Sequence, residues 1–351
     1  MQNKTTTFAE EINQAQHCAM AEDDSMICMG LGINDPKAIF GTTTGLQSKF
    51  GSDRVFDMPT SENAMTGVGI GAAITGTRVL MTHQRVDFFL LAMDQLVNNA
   101  AKWHYMFNGQ MTVPLTIRLI IGRGWGQGPT HQQSLQSWFA HIPGLKVVTP
   151  SLTDNVGQLL YQSIMDNNPT IFLEHRWLHN QNIDKETCVD YNSNMQTTRV
   201  IKEGEDVTII ANSYMLLEAI HCHNFLKKQG VNCEVIEVSE PTNIDWQTIY
   251  NSVNKTQTCI CTDIGHNSFS VSSEISAKIY EACFTSLKKP IKRIALPSYP
   301  EPTSFGLTKK YYKTRTEITK AVSELLDREI FMTEDVEFPH DVPGNWFKGP
   351  F

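Results

Sequence analysis

The sequence predicts an α/β protein built from two successive units. Strand-length apolar runs alternate with helix-length amphipathic stretches, and a polar stretch from Leu178 to Gln196 divides two such series. A length of 351 residues suits about two domains. In the first series Phe8 to Asp23 reads as a helix, Ser25 to Gly30 as a buried strand, and Thr77 to Thr82 as a strand after a helix of small residues. Phe88 to Met106 reads as a long helix. Val113 to Ile121 is a strand running into a glycine loop, Leu145 to Pro150 a further strand, Asp154 to Asn167 a helix, and Thr170 to Glu174 the closing strand. The second series has strands at Asp206–Ala211, Asn232–Val238, Gln257–Asp263 and Ile291–Leu296, with helices at Met215–Gln229 and Val271–Phe284. From Phe331 to Phe351 aromatic residues and prolines dominate, which reads as an extended arm over a neighbouring surface.

Composition limits the function. Apolar residues make up 41% of the chain and charged residues 19%, ordinary for a globular protein. A net charge of −8 argues against nucleic acid or anionic membrane as a partner. No apolar run reaches the roughly 20 residues of a membrane span. Met1 to Glu11 is polar and reads as no secretory signal. Eight cysteines lie scattered, with Cys259 and Cys261 too close for a C-x-x-C pair, which points to reduced thiols and the cytoplasm.

The segment Phe56-Asp57-Met58-Pro59-Thr60-Ser61-Glu62-Asn63-Ala64-Met65 places one carboxylate, Glu62, at the head of a helix of small and apolar residues. No further charge follows through Thr77. Such a carboxylate either caps the helix, whose N-terminus favours anions, or sits partly desolvated, poised to pass a proton to a ligand. Gly67-x-Gly69-x-x-Ala72 matches a dinucleotide fingerprint as a string, but it lies inside the helix rather than between strand and helix. Close packing of helix on helix is the better reading. The loop Gly122 to Gly128 follows a strand, where α/β sites lie, and reads as a flexible segment carrying His131 over a substrate; a plain surface loop is the alternative. His221-Cys222-His223 cannot chelate one ion, because adjacent helical residues face different ways. Neither a phosphate-loop motif nor an H-E-x-x-H motif is present.

Four segments carry a resemblance: Phe40–Phe50, Arg54–Gly76, Ala92–Tyr105 and Phe139–Pro150. Through them nearly the whole chain resembles the β subunit of the thiamin-diphosphate-dependent first component of 2-oxo-acid dehydrogenases, such as pyruvate dehydrogenase. The resemblance implies a transketolase-like pyrimidine-binding domain with a parallel sheet over residues 1–185. A transketolase-like C-terminal α/β domain would follow over 186–330, and an extended tail over 331–351. It places Glu62 as the catalytic glutamate, hydrogen-bonded to N1′ of the cofactor's aminopyrimidine and favouring the tautomer that activates the thiazolium. Phe88 would stack on the pyrimidine, with Gln84 and Thr60 also beside the cofactor. His131 falls where the family has a substrate-facing histidine. Backbone carbonyls of Leu115, Ser163, Asp166 and Asn168 align with a potassium site of some relatives.

The family pattern that holds the diphosphate through Mg²⁺, a G-D-G followed by an asparagine, is missing from this chain. The resemblance therefore implies a separate α subunit holding the Mg²⁺, in a heterotetramer of two α and two β chains with β–β contact. A lipoyl-bearing acyltransferase would accept the acyl group. There are departures: Leu31-Gly32-Ile33-Asn34 replaces an acidic pair, and His83-Gln84-Arg85-Val86-Asp87 replaces a more apolar segment. Arg85 and Asp87 form an internal ion pair, or Arg85 meets an anionic substrate. These changes keep open a transketolase-like or carboligase reaction of specialised or sugar metabolism. A non-catalytic paralogue is a third reading, opposed by the presence of Glu62 and His131. Leading is decarboxylation of a 2-oxo acid with transfer to lipoamide.

Overall fold

The apolar runs of the first series form a six-stranded parallel sheet. A computed structural model of the chain describes residues 4–35, 37–123, 126–153, 155–185, 190–331, 342–344, 346–347 and 349. Two compact units emerge: residues 1–122, 138–195 and 349–351 in one, 123–137 and 196–348 in the other.

The first unit contains β1 (Lys4–Thr7), β2 (Ile27–Gly30), β3 (Val55–Asp57), β4 (Val79–His83), β5 (Leu115–Ile121), β6 (Lys146–Val148), β7 (Thr170–His175) and β8 (Asn182–Lys185). Its large sheet runs β3-β2-β4-β5-β7-β6. Every residue of β4, β5 and β7 is buried, which is why these strands read as continuous apolar runs rather than alternating ones. Among the polar residues in them, Arg118 stands in the middle of β5. Its guanidinium grips Glu174 of β7 through Nε at 2.6 Å and Nη2 at 2.9 Å, and donates to Gln16 at 3.0 Å. His179 meets the same carboxylate at 3.0 Å. Burial alone would raise Glu174, but the charge of Arg118 and the bond from His179 override it and hold the carboxyl at about 2.

The polar stretch after Leu178 is more than a linker. It holds β8, which pairs antiparallel with β1, Thr7 opposite Asn182. Its later part is also tied down, since Gln158 donates to the carbonyls of Asp190 and Ser193. Lys4–Thr7 and Asn182–Lys185 are short, mostly polar strands whose one apolar residue, Ile183, makes no periodic signature, so the pattern could not announce them. β1 leads directly into the Phe8–Glu22 helix through a capping box: the Thr7 hydroxyl accepts from Glu10 N–H at 3.2 Å, and the Glu10 carboxylate accepts from Thr7 N–H at 2.8 Å.

In the second unit β9 (Thr198–Lys202), β10 (Val207–Ala211), β11 (Cys233–Val238), β12 (Cys259–His266) and β13 (Lys292–Leu296) are ordered β13-β12-β10-β11-β9, with only β9 antiparallel. Its core joins Ile210, Ile236, Ile249, Val253, Cys261, Ile275 and Ile279 between the sheet and the Trp246–Thr256 and Val271–Cys283 helices. Of the tail, Trp346 lies edge-on to His221 at 5.3 Å and 6.5 Å from Tyr214, so the surface under this part is the unit's own Ser213–Lys227 helix. On that helix His221 faces Trp346, Cys222 meets Thr319 at 3.3 Å and His223 bonds the Cys233 carbonyl at 2.7 Å. Three adjacent side chains thus go to three separate places.

Candidate active site

Glu62 is the first residue of the Glu62–Ile74 helix and is only 6% exposed. The chain reaches it from β3 along a fixed path. Asp57 accepts from Ile33 N–H at 2.7 Å, Met58 N–H donates to the Gly30 carbonyl at 2.9 Å, and Ser61 N–H donates to the Pro59 carbonyl at 2.8 Å. Ser61, at the N-cap, makes no side-chain capping bond. The Glu62 carboxylate itself has no hydrogen bond or ion pair with any described residue. It satisfies no backbone N–H as a cap, and it stands buried at the positive end of a helix with its oxygens uncommitted.

Small residues seat this helix against its surroundings in two ways. At Gly69 a Cβ would come within 3.0 Å of Met29 Cε and 3.2 Å of Met81 Cε, so the glycine presses the helix onto the sheet. At Gly67 the neighbour is Gln95 Oε1, 3.4 Å from an added Cβ, so here helix does meet helix. Close packing holds, but for Gly69 the partner is β2 and β4. The expected long helix after Phe88 is continuous from Val86 to Met106 yet changes type: an α turn, a 3₁₀ turn at Leu90–Ala92, then a π stretch at Gln95–Ala100 before α resumes. Such π stretches recur at functional sites.

Phe88 lies in the first turn of that run, 36% exposed, and the turn directly after it packs against the Glu62 helix. Thr60 and Gln84 are exposed. The Gln84 amide covers Gly32, whose added Cβ would sit 2.5 Å from Nε2. These four residues belong to the first unit and His131 to the second.

The loop carrying His131 is pinned rather than free. Gly126 and Gly128 take left-handed φ of +60° and +80°. The Gln132 side chain bonds the Tyr312 hydroxyl at 2.7 Å, and in the orientation that satisfies both its ends its oxygen accepts from Gln127 and Gly128 N–H at 2.8 Å. The Arg123 guanidinium stacks 4.0 Å from the Tyr312 ring centroid. His131 is half-buried, with Nδ1 3.0 Å from the Thr130 hydroxyl. This strap ties down Gln132, the residue next to His131.

The family model for the transketolase pyrimidine-binding domain matches residues 4–181, and that for the transketolase C-terminal domain matches residues 196–318. The chain is 32% identical over 336 residues to pyruvate dehydrogenase E1 component subunit beta-1, mitochondrial, of Oryza sativa subsp. japonica, covering 94% of this chain and 89% of that one. The chain belongs to the E1 β-subunit family. Acetoin:2,6-dichlorophenolindophenol oxidoreductase subunit beta of Bacillus subtilis is also 32% identical, over 92% of this chain and 98% of that one. Among solved structures a split-gene transketolase, an inactive β4 tetramer, superposes with a TM-score of 0.71 at 16% identity, covering 91% of this chain and 98% of that one; this shows the fold. No helix among the described residues is long and apolar enough to cross a membrane.

As an E1 β-type chain it has the backbone for the carbonyl cluster implied by resemblance, but with cations and donors already there. The Ser163 carbonyl accepts from the Thr116 hydroxyl at 2.7 Å. Arg78 Nη1 donates to the carbonyls of Ile164 at 2.7 Å and Asp166 at 2.9 Å. These carbonyls end the Val156–Met165 helix, where the dipole favours positive charge. Each keeps a second lone pair. Leu115 opens β5, and Asn168 N–H donates to the Asp166 carboxylate at 2.9 Å.

Sequence reasoning missed one group of residues. Arg176, immediately after β7, is fully buried, and its guanidinium lies 5.5 Å from the Phe40 ring centroid. Phe40 also stacks on His179 at 5.3 Å and closes a left-handed turn in which Ala38, Ile39 and Phe40 all have positive φ. For β-branched Ile39 that conformation is costly and is held only by its surroundings. His83, ending β4, is fully buried with no partner for either ring nitrogen, and burial pushes it down to about 4. The signal available in sequence was a basic residue directly after an apolar run, which a surface turn also produces.

Proposed function

We propose that this chain is the β-type subunit of a thiamin-diphosphate enzyme that decarboxylates a 2-oxo acid and passes the acyl group to lipoamide, acting with a separate α subunit. The observation that carries this reading is the uncommitted, buried carboxylate of Glu62 at a helix N-terminus. It suits a ring nitrogen that offers or shares a proton. Phe88, exposed beside the same helix, offers a flat apolar face for a heteroaromatic ring, with Thr60 and Gln84 lining the approach. When bound, the cofactor supplies the electron sink for breaking the bond beside the carbonyl. Glu62 holds or moves the proton at the pyrimidine nitrogen, and His131 on its fixed loop serves proton transfer or substrate binding. Diphosphate and Mg²⁺ belong to the α partner, because this chain lacks the G-D-G pattern. A two-α two-β assembly with β–β contact follows, and a lipoyl acyltransferase as acceptor. Potassium is assigned to the carbonyls of Leu115, Ser163, Asp166 and Asn168, using the lone pairs that Thr116 and Arg78 leave. Seven described cysteines are free thiols, which suits a reducing compartment such as the cytoplasm.

Co-purification with a G-D-G-bearing partner and assay of pyruvate consumption, with and without lipoamide, tests the reading. Glu62→Gln removes the exchangeable charge and should lower turnover by roughly 10²- to 10⁴-fold, while size-exclusion profiles stay as in the parent. Turnover that survives this substitution would overturn the role of Glu62. Turnover that instead requires an aldehyde acceptor would move the chain to the carboligase reading.

A further inference from the structure

In the second unit the chain goes from β10 to β11 on one side, then crosses to β12 and on to β13 on the other, so the strand order reverses between β10 and β12. Parallel α/β sheets bind ligands beside such a reversal, outside the carboxyl ends of the strands. Here the chain brings its own segment to that place. Residues 123–137, the strap that carries His131, belong to this unit. β12 runs past its last pairing with β10, at Cys261, and there it carries Asp263, 1% exposed. Gln136 of the strap meets it, with Nε2 donating to Asp263 Oδ1 at 2.5 Å. Gly265 permits the approach. An added Cβ would lie 2.8 Å from Gln136 Nε2 and 3.1 Å from the Ser134 carbonyl oxygen.

Asp263 is itself firmly held. Its carboxylate accepts from Gly265 N–H at 2.9 Å and from Ser272 N–H at 3.1 Å, the latter in the first turn of the Val271–Cys283 helix. Burial pushes the carboxyl up, and the bonds from Gly265, Ser272 and Gln136 oppose it. One buried group thus joins the strap to the end of β12 and to the start of a helix. Burial also alternates along the strap. Gln132, Ser134 and Gln136 are buried, whereas His131, Gln133 and Leu135 are half-buried. A period of two is that of extended chain, in which a slip of one residue exchanges the two faces. On the inner face Gln132 reaches Tyr312 and Gln136 reaches Asp263. A single pin at Gln132 would let the segment pivot; a second, four residues on, fixes both its register and its direction.

We propose that Asp263 and Gln136 are positioning residues for His131, setting the register that turns its imidazole to the outer face of the strap. They act through the strap and touch neither substrate nor cofactor. The consequence for turnover rests on the reading in which His131 serves proton transfer or substrate binding. Without the Gln136 bond the buried carboxylate loses a donor, and the strap between Gln132 and the end of β12 loses its second fixed point. A reacting group displaced by about an ångström loses on the order of a hundredfold in rate.

His131 itself reports the outcome. In the full chain with isotope-labelled histidine, its ring resonances are assigned by their loss in His131→Gln. Gln136→Leu removes the donor and should move those resonances, while those of His17 and His104 in the first unit stay in place. Gln136→Glu should keep them near the parent's positions at low pH, where two facing carboxyls share one proton, and release them as pH rises and both ionise. A merely structural loss would show no such reversal. In the assembled complex kcat/KM should fall roughly 10- to 100-fold in Gln136→Leu. If that variant does not fold by circular dichroism, Gly265→Ala carries the test, since it crowds the strap off β12 without removing a polar group. Resonances of His131 that stay in place in the folded variant overturn the proposal. So does an unchanged kcat/KM where His131→Gln is inactive. Displaced resonances together with full turnover in His131→Gln would sink the role of His131 and leave the register device standing.

Discussion

Replacing Glu174 by Gln tests the electrostatic account of the first unit. Glu174 is fully buried and takes two bonds from Arg118, at 2.6 and 2.9 Å, and one from His179 at 3.0 Å. Its carboxyl sits at about 2 rather than the ordinary 4.5. A shift of that size corresponds to about 3 kcal/mol in favour of the charged form in the folded state. Mutational experience with broken buried pairs gives ~3–5 kcal/mol, mostly from the abandoned charge. The variant should therefore lose about 3–5 kcal/mol, or roughly 10 °C in Tm for a unit of this size. Because the folded value is depressed, the stabilisation is present above about 4.5 and is lost as pH falls toward 2; Glu174→Gln should lack this part of the acid limb. Urea unfolding of the whole chain, followed by circular dichroism and by fluorescence of nearby buried Trp177, measures the loss. The double variant Arg118→Met, Glu174→Leu removes both charges and should recover most of the stability. A single variant within about 1 kcal/mol of the parent, or a double variant weaker than the single, refutes the reasoning.

Two other substitutions probe neighbouring features. His83→Phe should remove a pH dependence: the unfolded chain takes up a proton near 6.5 and the folded His83 only near 4, so the parent loses roughly 3 kcal/mol as pH falls between these values and the variant does not. Parallel acid limbs in the two proteins would show that the imidazole is not held neutral. Tyr312→Phe removes the bond to Gln132 and should cost about 1–2 kcal/mol of stability. Its kcat should fall further than that loss of stability accounts for, because His131 rides on the same strap; unchanged kcat would mean that His131 does not depend on it.

The legible parts of this chain were those where one face or both faces of an element are buried. β4, β5 and β7 announced themselves because nothing along them is exposed. β1 and β8 did not, because two four-residue strands with one buried apolar side chain between them, Ile183, carry no periodic apolar pattern. Arg118 stood visibly in an apolar run, yet its partners, Gln16 and Glu174, lie 102 and 56 residues away. The strap on the His131 loop depends on Tyr312, 180 residues beyond Gln132, which no local pattern encodes. Glycine spacing predicted close approach at Gly67 and Gly69 without saying that one meets a helix and the other a sheet. Glu62 was legible because its chemistry is local: one charge, a helix start, and an uncharged run after it.

That local arrangement also bears on where the rest of the cofactor is held. A helix N-terminus following a parallel strand is a natural phosphate site, since its free N–H groups and dipole attract anions. Here that position carries a carboxylate of the chain itself, buried and uncommitted. A diphosphate brought to the same helix end would face Glu62 as a like charge in a poorly hydrated place, a costly encounter. The same side chain that suits a heterocyclic nitrogen therefore makes this helix unsuited to a phosphate. Arg85 and Arg176 lie after β4 and β7, whereas Glu62 follows β3, so the acid and these two bases stand at separate strand ends of one edge. On the proposed reading the diphosphate is left to a partner chain that carries the G-D-G pattern.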